Sequence, residues 1–289
     1  MKKTGFACLF ILILPFLYGF DWPIEEKTIV STFGQACGSQ FSTGIKIGTR
    51  EQDVKPITEG EICFYSEINN SPHAIPSGLG NYCILEHQGG LRSVYSHLKD
   101  GSILLSKTFF EDNDVIGVTG ISGASYIPNI NLTVIDTEYN QIMNPLLLLP
   151  PVSDANAPVI QAVYIKRDEG IIRMQEQNSM PAGHAEIILS VYDPGENVKY
   201  FNPMAPFELL LLVNGIEVKR LIFEGLEQQI HEISLINSDS VQSDELFIED
   251  TMMNLGQIQL SPGNNRIEIT ASDFLGNETT TIITILATE

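Results

Sequence analysis

The chain has 289 residues, with 16 Lys and Arg against 36 Asp and Glu, a formal charge of −20 and a mean hydropathy of +0.07. So acidic a surface argues against nucleic acid as a partner, and it repels anionic lipid or wall polymer except at a local basic site or through a cation. The length is enough for two domains of ordinary size.

Lys2 and Lys3 precede an apolar run, Pro15 interrupts it, and the first acid is Asp21. The uncharged stretch from Thr4 to Phe20 is 17 residues, at the short limit for a membrane span. This is a signal-peptide layout, so residues 1–20 are expected to direct export to the periplasm or cell envelope, with membrane attachment only if they stay uncleaved. Their removal leaves 14 basic residues against 36 acidic ones, a charge of −22. The remainder keeps Cys37, Cys63 and Cys83. Three cysteines permit one disulfide with one thiol over, and the two in strand-like segments read equally well as small buried apolar residues.

Short β-type runs separated by Gly, Pro, Asn or Asp recur along the rest of the chain, without a sustained helical period, and predict an all-β protein. In "IPNINLTVID", residues 127–136, a period of two puts Ile130, Leu132 and Val134 on one side and Asn129, Asn131 and Thr133 on the other. Asparagine is poor strand material, so the plain expectation is an exposed polar face on an edge strand, unless another segment explains the pair. "LLPPVSDANAPV", residues 148–159, breaks the apolar pattern and divides the chain into domains at 21–150 and 151–289.

The second domain carries the strand candidates "APVIQAVYI", "HAEIILSVYD", "FELLLLV", "IEVKRLIF", "NRIEITASD" and "TTTIITILA". Asn214-Gly215, between two of them, predicts a type I′ hairpin, and the set predicts an immunoglobulin-like β-sandwich. The acidic stretch at 237–250 reads as a solvated loop before a cation site, and Asp273 with Asn277 around Gly276 as a turn before a weak calcium ligand set.

Three stretches of the first domain, in order, resemble the lysostaphin-like (LytM-type) zinc endopeptidases. "STFG" with "FSTGIKIG" at 41–48 is similar to a Phe-Gly turn before His-x-Gly-x-Asp, and "GLGNYCILEHQGGLRSVYSHL" at 78–98 to a hairpin ending in Tyr-x-His-Leu. "VIGVTGISGASYIPNINLTVID" at 115–136 is similar to a glycine-rich segment followed by His-x-His, and the resemblance covers about residues 22–150. It implies a β-sheet core of the duplicated-hybrid-motif kind, a zinc ion held by two histidines and an aspartate, and two further histidines for proton transfer and charge stabilisation. Carried over position by position, the first metal histidine falls on Ser42, the metal aspartate on Lys46, and the His-x-His pair on Asn129 and Asn131, while His97 alone remains. The two asparagines are then polar because their positions are.

A hydroxyl and an amide are weak zinc ligands, and an ammonium repels a divalent cation, so no metal and no cofactor are expected. His73, His87, His184 and His231 form no ligand-like pair, and His87, before "QGG", reads as exposed. Ser42 and Lys46 leave a serine-lysine hydrolase as a remote option. The expected function is that of an exported, catalytically inactive relative whose groove, floored by Ser42, Lys46, His97, Asn129 and Asn131, binds peptidoglycan or a wall hydrolase such as an amidase. The alternatives are an active peptidoglycan metalloendopeptidase with altered ligands and a purely structural envelope interaction protein.

Overall fold

A computed structural model describes residues 19–67, 77–168, 170–175, 177–196, 203–228, 232–236 and 241–289. Most of the expected signal segment, His73, His231 and residues 237–240 at the start of the acidic stretch lie outside the described residues.

The first half is built from β1 (Ile29–Ser31), β2 (Ala36–Cys37), β3 (Gln40–Phe41), β4 (Ile45–Ile47), β5 (Asp53–Val54), β6 (Gly60–Ser66), β7 (Asn81–Glu86), β8 (Leu91–Leu98), β9 (Phe109–Phe110), β10 (Gly117–Val118), β11 (Ile130–Asp136) and β12 (Gln141–Met143). The second half supplies β13 (Val159–Arg167), β14 (Gly170–Arg173), β15 (Gln177–Pro181), β16 (Gly183–Tyr192), β17 (Glu208–Val213), β18 (Ile216–Ile222), β19 (Gly225–Gln228), β20 (Ile233–Leu235), the single turn α1 (Ser243–Leu246), β21 (Phe247–Glu249), β22 (Met252–Leu260), β23 (Gly263–Ser272) and β24 (Glu278–Thr288). The protein is all-β, as its sequence predicts.

Among the described residues the main sheet has 10 strands, running β20-β19-β12-β11-β8-β7-β6-β9, with β4 pairing β11 and β1 pairing β4. Its centre is β11. Ile130, Leu132 and Val134 are fully buried on one face, and Asn131 and Thr133 are buried on the other. The expectation of an exposed polar edge is therefore replaced, because β11 is flanked by β4, β12 and β8 and covered on both sides. Gly44 makes the approach of β4 to β11 feasible, since a Cβ there would collide with Leu132 O and Thr133 Oγ1.

Two five-stranded sheets, β14-β13-β16-β22-β21 and β15-β24-β23-β17-β18, make the second half. Alternation explains both: along β23, Ile267, Ile269 and Ala271 point into the core, and along β16 Ile187, Leu189 and Val191 do the same. Asn214 and Gly215 both have positive φ, 54° and 78°, joining β17 to β18 as the sequence predicts for a type I′ turn.

The sheets do not respect the boundary drawn at residue 150. β19 leaves the sandwich, pairs with β12 and brings β20 with it, burying Leu226 and Leu235. Asn144 clamps this crossing, its backbone N donating to Glu224 O at 2.9 Å and its Nδ2 to Phe223 O at 2.8 Å. One contiguous core cluster accordingly runs from Trp22 to Ala287.

The described part of the acidic stretch also departs from a plain solvated loop. It forms α1 and the edge strand β21, buries Leu246, and sets Phe247 edge-on to Phe41 at 6.0 Å. His87 is buried rather than exposed, its Nδ1 2.8 Å from Glu59 O and its Nε2 2.6 Å from Ser93 Oγ. Cys83 is a buried thiol, while Cys37 and Cys63 are exposed and free. Burial pushes the Cys83 thiol well above its ordinary value.

Candidate functional site

Residues directly paired across antiparallel strands project to the same face of a sheet. Ser31 on β1 pairs with Lys46 on β4, Lys46 with Asn131 on β11, and Asn131 with Ser96 on β8. The result is one polar row of hydroxyl, ammonium, amide and hydroxyl across four strands. Ser31, Asn131 and Ser96 are buried and Lys46 is half-buried. Among the described residues the Ser96 Oγ has no hydrogen-bond partner, an orphan of the kind that native interiors seldom keep. Among the described residues no carboxylate lies in ion-pair contact with Lys46.

His97 and Asn129 form a second cluster. The Asn129 Nδ2 donates to Ser125 Oγ at 2.6 Å and to Ile127 O at 2.8 Å, leaving its Oδ1 2.9 Å from His97 Nδ1. A carbonyl only accepts, so the contact with Ile127 O fixes the amide orientation and makes His97 Nδ1 the nitrogen that carries the proton. At 3 % and 2 % exposure the His97 ring and the Asn129 amide are sealed from water. Burial holds the His97 pKa below its ordinary value and the Lys46 charge acts in the same direction, while the hydrogen bond to Asn129 opposes them. Burial therefore favours the neutral form of the ring. His97 also sits at φ 69°, a left-handed conformation uncommon for a side chain of this size, held by its backbone N donating to Leu79 O at 2.9 Å.

Ser42 stands apart. Its Oγ donates to Gly44 O at 3.0 Å, and its backbone closes the turn with Gly34 and Gln35. Among the described residues it makes no hydrogen bond to Lys46, His97, Asn129 or Asn131, which leaves the serine-lysine option without the contact it needs. The structure thus brings together Lys46 with Asn131 and His97 with Asn129, and adds Ser31, Ser96 and Ser125, which sequence reasoning missed. Ser96 is the second residue of "YSHL", but its place opposite Asn131 follows from strand register, which the sequence does not print.

A cleft of about 470 Å³ lies elsewhere, where the two halves meet. Trp22, Phe33, Phe207, Phe223 and Phe274 wall it, Asp154, Asp193 and Asp273 edge it, and none of the five predicted groove residues lines it.

Comparison with known proteins gives three kinds of likeness. A protein-family profile matches residues 157–288, a little under half of the chain. An uncharacterized protein of Treponema pallidum (strain Nichols) is 26 % identical over 91 residues, which are 29 % of this chain and 62 % of that one; the chain thus spans less than two thirds of that relative. Among solved structures, a chain of the SpoIIQ–SpoIIIAH pore-forming complex is 19 % identical, covering 46 % of this chain and 91 % of that one at a TM-score of 0.37. The catalytic domain of lysostaphin from Staphylococcus simulans is 18 % identical, covering 42 % of this chain and 90 % of that one at a TM-score of 0.34.

Proposed function

We propose that this chain is an exported envelope protein related to the lysostaphin-like endopeptidases, without their zinc and without their hydrolytic activity, whose polar sheet face serves to bind peptidoglycan peptides or a wall-hydrolase partner. The observation that carries this is the row Ser31, Lys46, Asn131 and Ser96, with an ammonium at its centre where the resemblance implies a metal carboxylate. Zinc takes thiolate, imidazole or carboxylate; the three ligand positions offer the Ser42 hydroxyl, already committed to Gly44 O, the Lys46 ammonium and the Asn131 amide. This donor set does not suit the ion, and no hydrolytic step is derived through it.

The same side chains suit recognition of an anion or an amide. A half-buried ammonium without a carboxylate beside it, next to an amide and an orphan hydroxyl, offers donors to the carboxylates and peptide carbonyls of a wall stem peptide or of an acidic loop on another protein. It is also a basic point on a chain of charge −20, so an anion approaching elsewhere is repelled.

The test is a pull-down on insoluble peptidoglycan with the wild type, Lys46→Glu and Lys46→Met. Binding retained by the wild type and lost on charge reversal supports the proposal. Equal binding by all three means the row is a packing feature and favours the structural envelope protein. Release of soluble muropeptides that a chelator stops would favour the active enzyme.

A further inference from the structure

Buried asparagines in this fold are tied down, with one exception. Among the described residues Asn81, Asn129, Asn144 and Asn265 are buried, and each makes at least two side-chain hydrogen bonds. Asn131, 7 % exposed, makes none to any described residue. Directly opposite it, the Ser96 Oγ sits on a fully buried side chain and has no partner among the described residues either. Ser31 and Lys46 complete the row, and their side chains also make no hydrogen bond or ion pair to a described residue. Native interiors pair nearly all their polar groups, because an unmade bond leaves the desolvation of the group uncompensated. A single orphan is an irregularity of packing. Four side by side, aligned by strand register, are the lining of a site that a ligand completes.

The chemistry of the row selects the ligand. An ammonium, an amide nitrogen and two hydroxyls present more donors than one carbonyl oxygen can take, whereas an ionised carboxylate only accepts, and does so through two oxygens. Adjacent strands lie about 4.8 Å apart, so Ser31 and Asn131 flank Lys46 at one spacing on either side and Ser96 lies one further. One carboxylate can therefore meet Lys46 with one oxygen and a neighbouring donor with the other. A charge-assisted bond is about twice as strong as a neutral one, which favours the ion over a peptide carbonyl. The chain charge of −20 works against any ligand that brings several negative charges, such as a phosphate polymer. The row is also recessed, since Ser31, Asn131 and Ser96 are more than nine-tenths buried and the half-buried Lys46 is the way in. A chain end brings one segment into such a recess, where an internal residue must lead its backbone in and out again.

We propose that Ser31, Lys46, Asn131 and Ser96 form a receptor for one chain-terminal carboxylate, carried by a peptide that is otherwise neutral or cationic. Lys46 supplies the ion pair, Asn131 Nδ2 a second bond, and the two hydroxyls the remaining donors. This rests on the reading of the sheet face as a binding surface, and names the part of a peptide that it holds.

The experiment titrates the nitrogen-15-labelled full chain with acetyl-Ala-Ala, with the same dipeptide as its C-terminal amide, and with inorganic phosphate. The side-chain amide signals of Asn131 are followed by NMR, and the peptidoglycan pull-down is run beside it. Expected is a saturable shift with the acid and binding of the amide weaker by about tenfold or more, the worth of one charge-assisted bond. Binding of the acid should be lost in Lys46→Met and kept in Lys166→Met, a lysine on β13 paired with Glu186. Ser96→Ala should fold as wild type does and bind the acid less tightly, where a hydroxyl that only fills space would leave affinity unchanged. Circular dichroism confirms that each variant is folded. Equal affinity for acid and amide, phosphate bound as tightly as the acid, or no shift with the acid would overturn the carboxylate receptor, even if peptidoglycan is still held in a Lys46-dependent way. No shift with any probe, together with peptidoglycan binding indifferent to Lys46→Met, would overturn the binding surface as well.

Discussion

Asp193→Asn should stabilise the protein at neutral pH, although it alters a buried and hydrogen-bonded residue. Burial, followed by the neighbouring charges of Asp154 and Asp273, pushes the Asp193 carboxyl up from 3.8 to about 6. The folded state therefore favours the protonated form. That contribution to stability is complete below pH 3.8 and is lost as the pH rises through about 6, a difference of about 3 kcal/mol between pH 3.5 and pH 8. The charges acting on Asp193 are those of Asp154 and Asp273, with Glu196 acting on Asp154; Lys27 lines the same cleft, but among the described residues no cation makes an ion pair with Asp193. Asparagine keeps an Oδ1 for Gly195 N and removes the charge. Urea unfolding in EDTA should show no difference between variant and wild type at pH 3.5 and a higher midpoint for the variant at pH 8, by about 1 M for a slope of about 3 kcal/mol/M. A variant no more stable than wild type at pH 8 in EDTA would refute the reasoning.

Other substitutions test the sheet and its polar face. Asn129→Ala removes the partner of His97 Nδ1 and strands buried groups, and should cost about 1–3 kcal/mol in chemical unfolding. Gly44→Ala should lower Tm far more than a surface change does, because its Cβ would meet the backbone of Leu132. Leu132→Ala, at a fully buried central position, should cost about 2–5 kcal/mol. The His97 pKa lies below 6.5, so its ring should titrate by NMR at lower pH than a free histidine, and Lys46→Met should move that midpoint upward. Residues 157–289 expressed alone would leave β19 without β12 and expose Leu226, so that fragment should aggregate where the full chain does not.

What the sequence made legible is what short-range pattern controls. The six strand candidates of the second half correspond to β13, β16, β17, β18, β23 and β24, and Asn214-Gly215 to the turn between two of them. β22 escaped, because "MMNLGQIQL" has Gly256 inside it and lacks clean alternation. β19 and β20 escaped for another reason: which sheet a strand joins depends on distant pairing, here Ile142 opposite Leu226. The candidate site divides the same way. Asn129 and Asn131 stood out as polar residues in a strand, but reading them as an exposed edge failed, since exposure depends on what flanks the strand. Ser31 and Ser96 carry no local signal and enter the row through register alone. Asp273 with Asn277 does form the expected turn, yet its approach to Asp154 and Asp193 arises only when three loops meet.

The most direct test of the proposed function is zinc content. Purified protein carrying Asp193→Asn, which removes one of the junction carboxylates, should be incubated with zinc, passed through a desalting column and measured by elemental analysis. Well below 0.1 zinc per chain is expected, in order-of-magnitude terms, because Ser42, Lys46 and Asn131 supply no thiolate, imidazole or carboxylate. One tightly held zinc per chain, lost when His97 is replaced by alanine, would contradict it.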